Sequence, residues 1–212
     1  MNMGLLDKGF IKNYLTHCST WSESHGAPGE TDYLGFSLFY YGLAYGFKCK
    51  LCVCLGSGGA FVPRMMRQGQ IDAGIDAAKT IIVDINDFEN KKWGYPEWAK
   101  KDNFFRSNWP EVEWWETSTI DAADKFDPLS IDFLHIDADH SRAWEDFVLY
   151  APKIKVGRFV TLHDTVTRQR DCNAPLAVEK IRALSNWDIV DFPDVYGPAG
   201  GTALIRKIKS YL

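Results

Sequence analysis

Short apolar runs alternate with longer amphipathic stretches along most of this chain, and their lengths sort them into strands and helices. Lys50–Leu55 (KLCVCL), Thr80–Val83 (TIIV), Val112–Glu116 (VEWWE), Ile131–Asp137 (IDFLHID) and Arg158–Leu162 (RFVTL) read as five strands. In the fourth, Phe133, Leu134 and Ile136 are apolar without strict alternation, as in parallel-sheet strands covered on both faces. Tyr33–Phe47 (YLGFSLFYYGLAYGF) is too long for a strand and predicts a buried helix. Helices are also predicted over Ala60–Gln70, Ser141–Ile154 and Pro175–Asn186. Trp187–Phe192 and Thr202–Ile208 read as two strands joined by turn-rich DVYGPAGG, a hairpin at the end of the sheet. This alternation of strand and helix predicts a doubly wound, mostly parallel α/β sheet. The polar, tryptophan-rich stretch 89–110 is too long for a simple connection and is expected to be partly helical. Residues 1–32, a short amphipathic helix and the loop WSESHGAPGETD, are expected to form a lid on a single domain spanning 33–212.

With 212 residues, 46% of them hydrophobic, the chain is long enough for one sizeable core. A net charge of −4 and a pI near 5.7 provide no basic field to attract nucleic acid or an anionic membrane surface. MNMGLLDKGFIKNYL lacks the pattern of a signal peptide, and no run of about 18 apolar residues marks a membrane span, so a cytoplasmic protein is expected. Five cysteines in such a chain point to free thiols. Cys49, Cys52 and Cys54 read as small core hydrophobes, because no second cysteine pair follows at zinc spacing. Five of the eight tryptophans fall between Trp93 and Trp115, where they suit packing, a pocket wall or a contact in a homo-oligomer.

The chemistry concentrates in IDFLHIDADHSR (131–142), which holds three aspartates and two histidines. The acids stand where the strand ends, the edge at which open α/β sheets bind ligands. Metal ligation, an acid–base relay and the polar mouth of a buried strand are all open for these groups. Asp139 has a competing role as N-cap of the helix starting near Ser141, and His135, inside the strand, reads as a core histidine. A second strand ends in Leu162-His163-Asp164, which would bring His163 and Asp164 to the same edge as Asp137 and His140. After the first strand, Gly56, Ser57 and Gly58 of GSGG allow close approach of backbone to a ligand. Phe61 in place of a third glycine departs from the dinucleotide fingerprint. Asp84, closing the second strand, is placed to accept from two ribose hydroxyls; Asp76 is a competing acid nearer the glycines. His17 and His25 reach the site only if the N-terminal region folds over it.

The order LCVCLGSGG, TIIVDIND, IDADH and the final helix–hairpin unit resembles the class I S-adenosylmethionine-dependent methyltransferases over residues 33–208. DFLHIDADHSRAWEDFVLYAPKIKVGRFVTLHDT is similar to the metal-dependent small-molecule and sugar O-methyltransferases of the cephalosporin hydroxylase-like group. The resemblance implies a Rossmann-like sheet of about seven strands with an antiparallel C-terminal hairpin and helices on both faces. It implies S-adenosylmethionine bound at Gly56, Ser57, Gly58, Asp84, Asn86 and Asp137. It also implies a divalent cation, Mg²⁺ or Mn²⁺, held by Asp137, His163 and Asp164, with His140 as the base. Two positions depart from the family pattern: Cys54 and His163 each stand where an acid is usual, and the imidazole tilts the site towards Mn²⁺, Fe²⁺ or Zn²⁺. The implied reaction is methyl transfer to a hydroxyl of a small molecule or sugar. Two alternatives remain at the sequence level. IDAD is also the D-x-D by which glycosyltransferases hold a metal and a sugar diphosphate, and the lost acid at Cys54 would suit a non-catalytic binding module.

Overall fold

The structure, a computed structural model, describes residues 7–9, 11–12, 34–56, 61–85, 107–166, 171–193 and 200–209. Most of the proposed N-terminal lid, including His17 and His25, the residues Ser57, Gly58 and Asn86, and most of the tryptophan-rich stretch lie outside the described residues. In chain order the elements are α1 (Ser37–Gly46), β1 (Leu51–Leu55), α2 (Phe61–Asp72), β2 (Lys79–Asp84), β3 (Glu113–Glu116) and α3 (Thr119–Ala123). They continue with β4 (Ile131–Ile136), α4 (Ala143–Tyr150), β5 (Ile154–His163), α5 (Ala174–Arg182), β6 (Trp187–Phe192) and β7 (Thr202–Lys207). The seven strands form one sheet in the order β3-β2-β1-β4-β5-β7-β6. β3, β2, β1, β4 and β5 pair in parallel, whereas β7 runs antiparallel between β5 and β6. No helix among the described residues is long and apolar enough to cross a membrane.

The unbroken apolar runs follow from burial on both faces. Cys52, Cys54, Phe133 and Phe159 pack on one side against Tyr40, Leu43 and Ala44 of α1 and Phe61, Met65 and Met66 of α2. Val53, Leu55, Leu134, Ile136, Val160 and Leu162 pack on the other against Ala122 of α3, Phe147 of α4 and Ile181 of α5. All six residues of β4 are buried. The three cysteines of β1 and its approach are free, buried thiols, as their spacing predicts.

Three elements differ from the sequence expectation. α3 is absent from it because five residues carry too little periodicity; its signal is the cap, in which Ser118 Oγ accepts from Asp121 N at 3.1 Å. The helix expected over Ser141–Ile154 is α4 flanked by two 3₁₀ turns, His140–Arg142 and Ala151–Lys153, the second containing Pro152. β5 starts at Ile154 rather than Arg158, because its register against β4 shifts between Ile131 and Phe133 around Gly157, whose φ is +80°.

That irregularity serves the amino edge of the sheet. Asp132, 1% exposed, accepts from the backbone N–H groups of Lys50 (2.9 Å) and Leu51 (3.0 Å) and pairs with Lys155 Nζ (3.0 Å) and Arg158 Nε (3.2 Å). One carboxylate thus ties β1, β4 and β5 together. At the opposite edge, the N–H of Asp137 donates to Leu55 O and that of Gly56 to Val83 O, both at 2.9 Å. Gly56 has φ +76°, and a Cβ there would stand 2.1 Å from Asp137 O and 2.6 Å from Ala138 Cα.

Asp132→Ala strips two backbone donors of their acceptor, while Lys155 and Arg158 are exposed enough to regain water; the expected loss is roughly 2–4 kcal/mol in urea denaturation. A loss below about 1 kcal/mol, within the range of an ordinary surface substitution, would show that the clasp is not needed. Gly56→Ala is expected to cost roughly 1–3 kcal/mol from backbone strain alone and to displace the Asp137 peptide. Denaturation combined with ligand titration checks both effects, and a variant as stable as the parent would contradict the close contact.

Candidate functional site

The carboxyl ends of β1, β2, β4 and β5 converge on one edge. Gly56 follows β1, and Asp84, the half-buried last residue of β2, stands abreast of it through the Leu55–Val83 register. Asp76 is exposed in the turn before β2 and so lies at the other edge, roughly 20 Å away for six strand residues. Of the two acids weighed for the ribose, Asp84 is therefore the one placed beside Gly56.

Asp137 follows β4. The chain then turns, and Asp139 caps the 3₁₀ turn by accepting from the N–H (2.9 Å) and Oγ (2.6 Å) of Ser141. Asp139 is exposed and acts as the cap that was expected. The turn brings His140 back over the strand end, where its Nε2 lies 3.1 Å from Asp137 Oδ1 and 3.3 Å from Asp164 Oδ2. His163 Nδ1 lies 3.4 Å from Asp137 Oδ1 and 3.2 Å from Asp164 Oδ1. Asp164 has φ +57°, a left-handed conformation that Asp tolerates. In an extended strand His163 and Asp164 would face opposite sides; this backbone turn aims both at the same point. Donor atoms of Asp137, His163 and Asp164 all lie within 4.8 Å of one another, an arrangement that fits a metal ion.

Electrostatics binds these groups to each other. Burial raises the Asp137 carboxyl, but the charge of His163 and contacts with three imidazoles outweigh it and hold it well below the usual carboxylate range. Burial opposes the charge of His163, and Asp137 and Asp164 overcome it, raising the imidazole to about 10. The hydrogen bond to Asp137 raises His140 against the opposing effect of burial. His135 goes the other way, since burial lowers it more than Asp137 raises it. The Cys54 thiol, raised by burial and by the nearby charges of Asp137 and Asp84, donates to Gly56 O at 3.0 Å.

Sequence reasoning placed Gly56, Asp84, Asp137, His140, His163 and Asp164 at one edge, and the structure brings these six there. It missed what supports them. His135 is a core histidine on one side only: Nδ1 bonds Thr161 Oγ1 at 2.8 Å, while the buried Nε2 makes no hydrogen bond and points towards Asp137 Oδ2 at 3.9 Å. The ring of Tyr40 stands edge-on to His135 at 5.2 Å, and its hydroxyl reaches Thr202 Oγ1 at 3.4 Å. Asn173 holds the His140 turn in place, donating N–H to His140 O (2.8 Å) and Nδ2 to Ser141 O (2.7 Å). The period of two in a strand already puts residues 135 and 137 on the same face. Thr161 and Thr202 join them only through strand pairing, which a single sequence does not reveal.

No protein-family profile matches the chain. No curated protein matches it either. Solved structures do. A putative O-methyltransferase from Klebsiella pneumoniae aligns over 97% of this chain and 92% of its own, at 11% identity and a TM-score of 0.71. The O-methyltransferase TomG from Streptomyces achromogenes, in complex with SAM, aligns over 97% and 92% at 13% identity and a TM-score of 0.70. An O-methyltransferase from Bacillus cereus in complex with SAH covers 96% and 93% at 14% identity and a TM-score of 0.68. At such identities the likeness is one of fold. It agrees with the strand order and the antiparallel β7, and the chain has the fold of the class I S-adenosylmethionine-dependent methyltransferases.

Proposed function

We propose that this protein transfers the methyl group of S-adenosylmethionine to a hydroxyl of a small molecule or sugar, assisted by a divalent cation. The observation that carries the reading is the convergence of Asp137, His163 and Asp164 at the edge that also holds Gly56 and Asp84. The SAM and SAH in two structures of the same fold support the choice of cofactor. The net charge of −4 supports a small acceptor over a nucleic acid.

When bound, S-adenosylmethionine supplies the methyl group, and the cation lowers the pKa of the acceptor hydroxyl and orients it. Gly56, with Ser57 and Gly58, lets backbone N–H groups approach the cofactor; Asp84 and Asn86 bind its ribose side. Asp137 and Asp164 would provide two carboxylates as cation donors, and a ring nitrogen of His163 stands within reach of the same point. His140 Nε2 would accept the proton of the acceptor hydroxyl as the C–O bond forms, the sulfonium C–S bond breaks and the demethylated cofactor leaves. Asp137 and Asp164, 3.1 and 3.3 Å away, stabilise the imidazolium so formed. The D-x-D glycosyltransferase reading is weaker, because Asp139 is committed to Ser141 and does not join Asp137.

Calorimetry is expected to show S-adenosylmethionine and its demethylated product binding the protein, with Asp84→Asn weakening both roughly tenfold or more through loss of a charged hydrogen-bond acceptor. Thermal stabilisation by nucleotide sugars instead of S-adenosylmethionine would transfer the case to the glycosyltransferase, and no response to either would favour a binding module. Once a hydroxyl acceptor is found by screening, His140→Gln is expected to lower kcat by about 10²- to 10⁴-fold with cofactor affinity unchanged. An undiminished kcat would remove His140 from proton transfer.

A further inference from the structure

Three imidazoles surround one carboxylate where β4 and β5 end. Nε2 of His140 and Nδ1 of His163 lie 3.1 and 3.4 Å from Asp137 Oδ1, and Nε2 of His135 lies 3.9 Å from Oδ2. The side of the site towards the sheet is closed by side chains. His135 and the residues behind it, Tyr40, Thr161 and Thr202, are each 1% exposed or less. A Mg²⁺ ion demands oxygen donors and usually keeps several waters. Here one donor position is an imidazole, and the residues on the sheet side of Asp137 are buried. Imidazole nitrogen suits transition ions, which give up water for it more readily.

The backbone commits His163 to the cluster. The left-handed turn at Asp164 sets two consecutive side chains 3.2 Å apart, facing one point, at a backbone conformation that costs energy in most residues. The second, independent observation is His135. Its Nε2 is buried, makes no hydrogen bond and is directed at the carboxylate that His163 also faces. Thr161 fixes the ring from the far side, so Nε2 stands 3.9 Å from the carboxylate without bonding it.

Resting on the cation reading above, we propose that His163 releases its ring proton to solvent and ligates the cation through the freed nitrogen, so that the site takes a divalent transition ion in preference to Mg²⁺. Transition ions bind most mixed sites more tightly than Mg²⁺, so the informative quantity is how the preference changes with the donor. Chelator-treated protein and the His163→Asp variant are titrated with Co²⁺ and with Mg²⁺ by calorimetry. The same proteins and His140→Gln are then loaded with Mn²⁺ for pulsed electron paramagnetic resonance. The expected result is a fall of about 10- to 100-fold in the ratio of Co²⁺ to Mg²⁺ affinity in His163→Asp. Nitrogen hyperfine coupling to Mn²⁺ is expected in the parent and in His140→Gln, and not in His163→Asp. An unchanged affinity ratio, or no nitrogen coupling in the parent, overturns the proposal and leaves an oxygen-ligated cation site standing. Failure of the parent to bind any of the three ions overturns the cation reading itself. If His163→Asp does not fold, the coupling in His140→Gln decides: its presence supports ligation by His163, and its loss assigns the nitrogen to His140 and overturns the proposal.

Discussion

The exit of β1 and the exit of β4 pass so closely that a single methyl group would not fit between them. The positive φ of Gly56 and the hydrogen bond from Asp137 N–H to Leu55 O are two sides of this one contact. Because of it, the start of the glycine loop and the first carboxylate of the cluster move as one body. Whatever ligand lies on the backbone at Gly56 is held at a fixed distance from Asp137, and from the histidines that Asp137 gathers. In-line transfer between two bound groups needs this kind of rigidity, because reacting atoms must be brought to contact distance before the bond changes begin.

The two edges of the sheet treat polar groups in opposite ways. At the amino edge Asp132 is saturated by two backbone donors, a lysine and an arginine, and can only stabilise the fold. At the carboxyl edge Asp137 is shared among three imidazoles, and Asp164 faces the same point through its own left-handed backbone conformation. Mutual attraction keeps these groups together, yet each retains capacity to bind something else. A parallel sheet creates this asymmetry, since all its central strands deliver their ends, and the loops that follow them, to the same side.

How much of this is legible in the sequence depends on how local the cause is. β1, β2 and β4 are readable to within about one residue, because burial on both faces leaves a mostly apolar run that ends at Gly56, Asp84 and Asp137. The first residues of β5 are not, since Lys155-Val156-Gly157 reads as a connection, and only the contacts of Lys155 and Arg158 with Asp132 show why the strand bulges there. The cap at Asp139 is readable because the cap and its partner are two residues apart. The grouping of His163 with Asp164 is readable only as adjacency; the left-handed turn that makes it a site leaves no mark in the letters. His135 shows the same limit from the other side. Its place in an apolar run announces burial, but the free face of its ring is set by Thr161 and Asp137, which lie on other parts of the sheet edge.

Cys54 shows how the local environment suits a thiol at a position where the methyltransferases that the sequence resembles usually carry an acid. Its side chain is buried, in register with His135 on the neighbouring strand and within the electrostatic reach of Asp84 and Asp137. An acid at this position would add a third negative charge between two carboxylates, in a place with almost no access to water, and would either lose its charge or weaken theirs. The thiol avoids both costs. Burial and its acidic neighbours keep it protonated, and the proton is used to donate to Gly56 O, which steadies the backbone where it leaves β1. The imidazoles of His140 and His163 balance the carboxylates of Asp137 and Asp164, so the thiol on β1 and the imidazole on β5 act together. Each lowers the negative charge of an edge that in this chain relies on nitrogen as much as on oxygen to assemble its site.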